Sequence, residues 1–152
     1  MKTILEVFAG WGLLRYYWRR VWEQPQTLIG WAIYRWLVRG MKKDRRLPPG
    51  IARGSYDGAL ICEVSWRWGG VSFGEYIYVK RLVIASTQTV MHEYGHTRQS
   101  RMLGPLYLPL VGLPSVLRRL WAMKVVRPLD RERWYYSGYP ERWADRLSGV
   151  MR

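Results

Sequence analysis

The sequence predicts an α+β fold, a mainly helical minimal domain in which a small β-hairpin or three-stranded sheet packs on one central helix. Three observations predict it. The 152 residues suffice for a single domain with one core. Two runs rich in β-branched and aromatic residues, 59–68 and 71–79, follow one another closely. Helical patterns fill most of the remaining chain, so we treat residues 1–152 as one domain.

The amino-terminal region, residues 1–40, has the pattern of an amphipathic helix that breaks near Gln24-Pro25-Gln26. Tryptophans alternate there with arginines, at Trp11, Trp18, Trp22, Trp31 and Trp36 and at Arg15, Arg19, Arg20, Arg35 and Arg39. Indole rings beside guanidinium groups suit an anionic lipid surface. The alternative is a tryptophan face that packs on the core while the arginines face water. The sequence leaves both interpretations open.

The middle of the chain contains the predicted sheet. Residues 41–50 are charged and end in prolines and glycine, which predicts an exposed loop. The runs 59–68 and 71–79 flank Gly69-Gly70, and this spacing predicts a hairpin with a two-residue turn. Leu82–Ala85 can add a short third strand.

A helix is predicted from about Gln88 to Met102, because Ser86 and Thr87 offer an amino-terminal cap and Gly104 a stop. The apolar residues 102–117 follow, interrupted by prolines and too short for a membrane span, which predicts a buried or re-entrant segment. Further helices are expected near Ser115–Val126 and from Pro140 onward.

The charge balance points to anionic partners. Lysine and arginine number 25 against 11 acidic residues, a formal net charge of +14. An anionic membrane surface fits this excess, whereas no nucleic-acid-binding motif accompanies it. Cys62 is the one cysteine and lies in an apolar run, which predicts a small buried side chain and a reducing compartment. Because Glu6 interrupts the apolar start of the chain, we expect no signal peptide and a cytoplasmic protein, peripheral on a membrane where this surface meets lipid.

The stretch His92-Glu93-Tyr94-Gly95-His96 carries the chemistry of this sequence. Residues four apart share one face of a helix, so both imidazoles can reach one metal ion, and Glu93 can accept a proton from a water molecule on it. These are the only two histidines of the chain, and they fall inside a predicted helix. The alternative is a hydrogen-bonded pair of structural histidines, which would leave this spacing a coincidence.

A third ligand must come from a carboxylate, since no further histidine is present. Glu141 and Asp145 are four apart in the last predicted helix, so one can bind the metal while the other accepts the N–H of a ligand histidine. The alternative is structural: Glu141 is then a favourable acid in a first turn, and Asp145 pairs with a neighbouring arginine.

Together these residues resemble the gluzincin pattern of zinc metallopeptidases. Residues 141–146, with the letters ERWADR, are similar to the helix of the prenyl-protein endopeptidases and heat-shock membrane proteases. The resemblance covers about residues 71–150 and implies a zincin-like domain that binds Zn²⁺ through His92, His96 and Glu141, with Asp145 supporting a histidine and Glu93 as general base. It also implies an edge strand beside the active-site helix that pairs with an extended peptide, for which Val71–Val79 is the candidate.

Other functions remain open from the sequence. One is a regulatory protease that resembles the repressor-cleaving enzymes of mobile elements, with an intracellular DNA-binding protein as substrate. Another is a membrane- or nucleic-acid-binding basic module whose metal is structural. For a peptidase, Tyr135, Tyr136 and Tyr139 are candidate donors to the oxyanion of the reaction, and the sequence does not choose among them. The sequence indicates neither the oligomeric state nor the cleavage preference.

Overall fold

From residue 26 to residue 148, the described part of the chain forms one helix, four strands and four further helices in that order. The computed structural model describes residues 17–18, 21–43, 52–64, 69–80 and 87–151. The elements are α1 (Gln26–Lys43), β1 (Ala52–Tyr56), β2 (Ala59–Val64), β3 (Gly70–Phe73), β4 (Tyr76–Lys80), α2 (Thr87–Leu103), α3 (Leu113–Val125), α4 (Arg131–Ser137) and α5 (Glu141–Ser148). The predicted α+β class, mainly helical with a small sheet on a central helix, is confirmed.

Helix α1 begins after the predicted break. Residues 17–18 and 21–22 are helical, residues 23–25 form a turn, and the Gln24 side chain accepts a hydrogen bond from the Leu28 N–H at 3.1 Å. The helix continues to Lys43, so residues 41–43 of the expected loop are helical instead. The rest of that predicted loop lies outside the described part, as do residues 1–16 and 19–20.

The sheet has the strand order β1-β2-β4-β3, and this corrects the predicted hairpin. Runs 59–68 and 71–79 do not pair across Gly69-Gly70. Instead, the second run divides at Gly74, whose φ of 59° makes the turn between the antiparallel strands β3 and β4. Strand β4 returns between β3 and β2 and pairs with β2 in parallel. The reason is burial: four of the five β4 residues are buried, and a strand buried on both faces belongs in the middle of a sheet.

Alternate residues of the central strand serve two layers, because side chains of a strand point to opposite faces. Tyr76 and Tyr78 pack with Cys62 against α1. Ile77 and Val79 pack against α2. Trp31 and Trp36 point away from this core and are 47% and 72% exposed, so the tryptophans of α1 do not form its packing face.

Helix α2 lies as predicted, and Gly104 ends it with a φ of 54°. A 3₁₀ turn (Gly104–Leu106) and a π-helical turn (Leu108–Gly112) then lead into α3. The expected burial of residues 102–117 holds for Tyr107 and Val111, but several large apolar side chains of this segment are exposed. No helix in the described ranges is long and apolar enough to cross a membrane. The possible strand Leu82–Ala85 falls outside the described residues.

Cys62 provides a test of this packing. Its side chain is fully buried, as the sequence predicted, and burial raises the pKa of its thiol to about 12. The thiolate is the reactive form, and a raised pKa removes it at ordinary pH. We therefore expect a thiol reagent at pH 8 to leave the native protein unlabelled and to label it stoichiometrically in denaturant. Rapid labelling of the native protein would contradict the buried position.

Candidate metal centre

The middle of helix α2 is buried although it is polar. His92, Glu93, His96, Gln99 and other polar residues of the helix have little or no exposed surface. Buried polar side chains are costly unless each has a partner. The helix must therefore bring these groups to a site that satisfies them, and that site lies against α5.

Two histidines of α2 and one carboxylate of α5 converge on a single point. The Nε2 atoms of His92 and His96 lie 3.0 Å and 3.1 Å from the same atom, Oε2 of Glu141. One ligand atom from each of the three residues lies within 4.8 Å of the others, and all three residues are buried. This group can hold a metal ion, and the structure thus brings together the three ligands that the sequence predicted.

The opposite ring nitrogens of both histidines have acceptors. His92 Nδ1 lies 2.6 Å from Asp145 Oδ1, and His96 Nδ1 lies 2.7 Å from Gln99 Oε1. With Nδ1 of each ring donating to these acceptors, Nε2 is the nitrogen left for the shared point: it donates to Glu141 when protonated, and its lone pair would bind a metal ion once that proton is lost. The structure therefore brings Asp145 into hydrogen-bonding contact with His92, one of the two histidines that the sequence predicted as ligands.

Glu141 is held from its other side. Its Oε1 atom accepts a hydrogen bond of 2.5 Å from the Ser115 hydroxyl, which lies 3.0 Å from the hydroxyl of Tyr135. Helices α3 and α4 thus fix the carboxylate that α5 contributes. Gln99 plays a similar part, because its Nε2 donates to the carbonyl of Pro140 at 3.1 Å, just before α5 begins.

Electrostatics in this group favour a cation. Burial opposes the charged form of His92, but hydrogen bonds to Asp145 and Glu141 outweigh it and raise its pKa to about 9. Burial likewise opposes the charge of Glu141, yet hydrogen bonds from His92 and His96 hold the pKa of that carboxyl well below its usual range. Positive charge between these side chains is therefore stabilised, whether a proton or a metal ion carries it.

Glu93 lies between the histidines of α2 and the start of strand β3. Its charge helps to raise the pKa of both His92 and His96, so its carboxylate is close to the site. A Cβ atom on Gly70 would lie 2.7 Å from Glu93 Oε1, so β3 passes directly over this carboxylate. Among the strands that the structure describes, β3 forms the edge of the sheet next to β4. Of the predicted edge segment Val71–Val79, only the part up to Phe73 belongs to that edge.

Gly95 permits the contact between α2 and α5. A Cβ atom at this position would lie 2.1 Å from the carbonyl oxygen of Ala144, a backbone atom that cannot move without its helix. We expect Gly95→Ala to displace α5 and to lower the free energy of unfolding by about 1–3 kcal/mol, as overpacking does. Urea denaturation measures this change.

Gly40 supplies the matched control for that substitution. It also lies in a helix, but a Cβ there would meet nothing within 4 Å. Gly40→Ala should therefore raise the free energy of unfolding, by about 0.5–1 kcal/mol. Equal responses of the two variants would contradict the close approach of α5.

The three tyrosines proposed as oxyanion donors differ in position. Tyr139 donates to the carbonyl of Leu110 and is 54% exposed. Tyr135 hydrogen-bonds with Ser115, so it supports a ligand. Tyr136 contacts a histidine directly: its ring lies edge-on to the His92 ring, with the two ring centroids 4.9 Å apart.

A fourth tyrosine, Tyr107, was not predicted for the site. Burial, together with the charges of Glu93 and Glu141, raises its pKa, so its hydroxyl lies near both carboxylates. Ser115 and Gln99 were also missed. Of these three residues, Gln99 alone carried a sequence signal, since it lies on α2 three residues after His96.

No protein-family model matches this chain, and no curated protein or solved structure is significantly similar to it. The site offers two imidazole Nε2 atoms and one carboxylate oxygen to a metal ion, with the carboxylate of Glu93 beside them.

Proposed function

We propose that this protein is a zinc-dependent metallopeptidase. The observation that carries the proposal is the convergence of His92, His96 and Glu141 on one buried point, with Asp145 orienting the first of them. The resemblance of the same residues to the gluzincin pattern supports it.

The donor set favours zinc in a catalytic role. Two imidazoles and one carboxylate are typical ligands of catalytic zinc, whereas structural zinc sites usually have four protein ligands, most of them cysteines. In the described part of the chain, this group offers three donors, and the one cysteine, Cys62, packs against α1 on the far side of the sheet. A purely structural metal is the weaker interpretation.

Each neighbouring side chain then has a role in peptide hydrolysis. When bound, zinc supplies a Lewis acid that activates a water molecule and polarises the scissile carbonyl. Glu93 would accept a proton from the attacking water and return it to the leaving amine. Asp145 and Gln99 hold the ligand imidazoles in one tautomer.

An extended peptide is the substrate that the surroundings suit. Strand β3 is an edge strand, and an edge can add a substrate strand through backbone hydrogen bonds. Gly70, at the start of β3, lies against Glu93, so a peptide bound along this edge would run beside the general base. Backbone pairing of this kind selects an extended conformation more than a particular side chain.

Metal analysis combined with a peptidase assay tests the proposal. We expect the purified protein to contain one zinc ion per chain and to cleave unfolded casein or a mixture of fluorogenic peptides. A chelator such as 1,10-phenanthroline should abolish cleavage, and added zinc should restore it. A protein that binds no zinc, or that holds zinc without hydrolysing any peptide in such a mixture, would contradict the proposal.

A further inference from the structure

A stripe of large apolar side chains runs along the outside of the segment that leads into and through α3. It consists of Leu106, Leu110, Leu113, Leu117 and Trp121, which follow one another at spacings of three or four residues. Each is at least 46% exposed. Large apolar side chains exposed side by side along one helical segment are typical of an interaction site.

The opposite side of the same segment is firmly packed. Val111 and Ala122 are fully buried, and Ser115 bonds to Glu141. Arg118 donates to the carbonyl of Tyr135 at 2.8 Å and stacks on the ring of Trp134 at 3.8 Å. One side of helix α3 is therefore already packed against the rest of the fold, and the apolar stripe lies on its other side.

Two exposed tryptophans continue the stripe beyond its amino-terminal end. The ring of Trp22 packs on Gly104, and a Cβ atom on that glycine would lie 2.4 Å from the ring. The indole Nε1 of Trp22 donates a hydrogen bond to the carbonyl of Arg101. Trp18 stacks on Trp22 at a centroid distance of 6.1 Å. Indole rings prefer the headgroup region of a bilayer, where the apolar ring and the polar N–H are both satisfied.

Charge identifies what covers this surface. From residue 102 to 129 the chain contains no aspartate or glutamate, whereas Lys124 and Arg127 are basic and exposed. Arg118 and Arg119 add positive charge nearby but already bond within the fold. The whole chain carries a formal net charge of +14, so two copies repel each other. Anionic lipid attracts the same charge, and long basic side chains can reach headgroups while apolar neighbours insert.

We propose that the apolar stripe, together with Trp18 and Trp22, docks on a bilayer that contains anionic phospholipid. Helix α3 then lies in the plane of the interface, as amphipathic helices do. This docking needs neither the metal nor peptide hydrolysis and goes beyond the function proposed above. Because Ser115 of the same helix bonds to Glu141, it would hold the metal site close to the lipid surface.

Site-specific fluorescence tests which face meets the lipid. Since Cys62 is buried and unreactive, Leu117→Cys or Met151→Cys can be labelled selectively with the environment-sensitive dye NBD. Met151 is 92% exposed and lies at the carboxy-terminal end of the described chain, outside the stripe. With vesicles of phosphatidylcholine and phosphatidylglycerol, we expect the emission at 117 to shift to shorter wavelength and the emission at 151 to stay unchanged. Pure phosphatidylcholine should give a smaller response.

A second pair of variants tests affinity. Leu117→Gln combined with Trp121→Gln should reduce co-sedimentation with the anionic vesicles by about tenfold or more, while Met151→Gln should not. Circular dichroism and zinc content of each variant report whether the fold is kept. Wild-type protein that does not bind anionic vesicles would overturn the proposal, as would binding without a change at 117. A blue-shifted 117 label without vesicles, in a protein of dimeric mass, would assign the surface to a second copy instead.

Discussion

Replacing Glu93 with glutamine is expected to lower kcat/KM for peptide hydrolysis by about 10²- to 10⁴-fold. Glutamine keeps the shape of the side chain but cannot accept a proton. Zinc content should stay at the wild-type level, because Glu93 is outside the convergent group of His92, His96 and Glu141. Steady-state kinetics on a fluorogenic peptide and metal analysis of the same preparation measure the two quantities.

Glu132→Gln is the matched control for that variant. It makes the same chemical change at an exposed position, where Glu132 pairs with Arg119 on the surface at 2.8 Å. Exposed ion pairs contribute little to stability, so activity and zinc content should both remain. If Glu93→Gln hydrolysed peptides as fast as this control, another group would have to be the base.

The second large effect is expected from His96→Ala. Wild-type protein should gain about 2.7 kcal/mol of unfolding free energy when free zinc is one hundred times its dissociation constant. The variant lacks one of the three donors, and its free energy of unfolding should barely respond to zinc. Denaturant titrations with and without zinc give the difference, which separates metal binding from the packing lost with the imidazole.

Asp145→Asn is the reference variant for the zinc response of His96→Ala. Asp145 accepts from Nδ1 of His92 at 2.6 Å but is not one of the three donors. Loss of such a supporting carboxylate typically weakens metal affinity by about 10- to 100-fold, so this variant should still respond to zinc, at a higher concentration. A His96→Ala protein that responds to zinc at the wild-type concentration would show that the metal binds elsewhere.

The site could be predicted from the sequence because its spacing is local. His92 and His96 meet on one face of α2 through helix geometry alone, and so do Glu141 and Asp145 on α5. That the two pairs face each other followed only from the chemical need for a third ligand. Ser115 and Tyr107 could not be found in this way, since their positions depend on how the segments after α2 fold back over the site.

The sheet was harder to predict, because glycines at two places in this segment could each have formed the hairpin turn. The sequence signal at Gly69-Gly70 is at least as strong as the one at Gly74, yet the hairpin turn forms at Gly74. The parallel pairing of β2 with β4 joins residues 16 apart, such as Leu60 and Tyr76, and no local pattern specifies it. No sequence pattern predicted strand β1 or helix α4.

One backbone approach in this fold defines a search pattern for distant relatives. A Cβ atom at position 70 would meet the flexible end of the Glu93 side chain, whereas one at position 95 would meet the backbone of Ala144, which cannot give way. A relative that keeps this packing should therefore carry glycine at the fourth position of H-E-x-G-H, followed later in the chain by E-x-x-A-D. Requiring the glycine together with the three candidate ligands and Asp145 gives a more restrictive pattern than the candidate ligands alone.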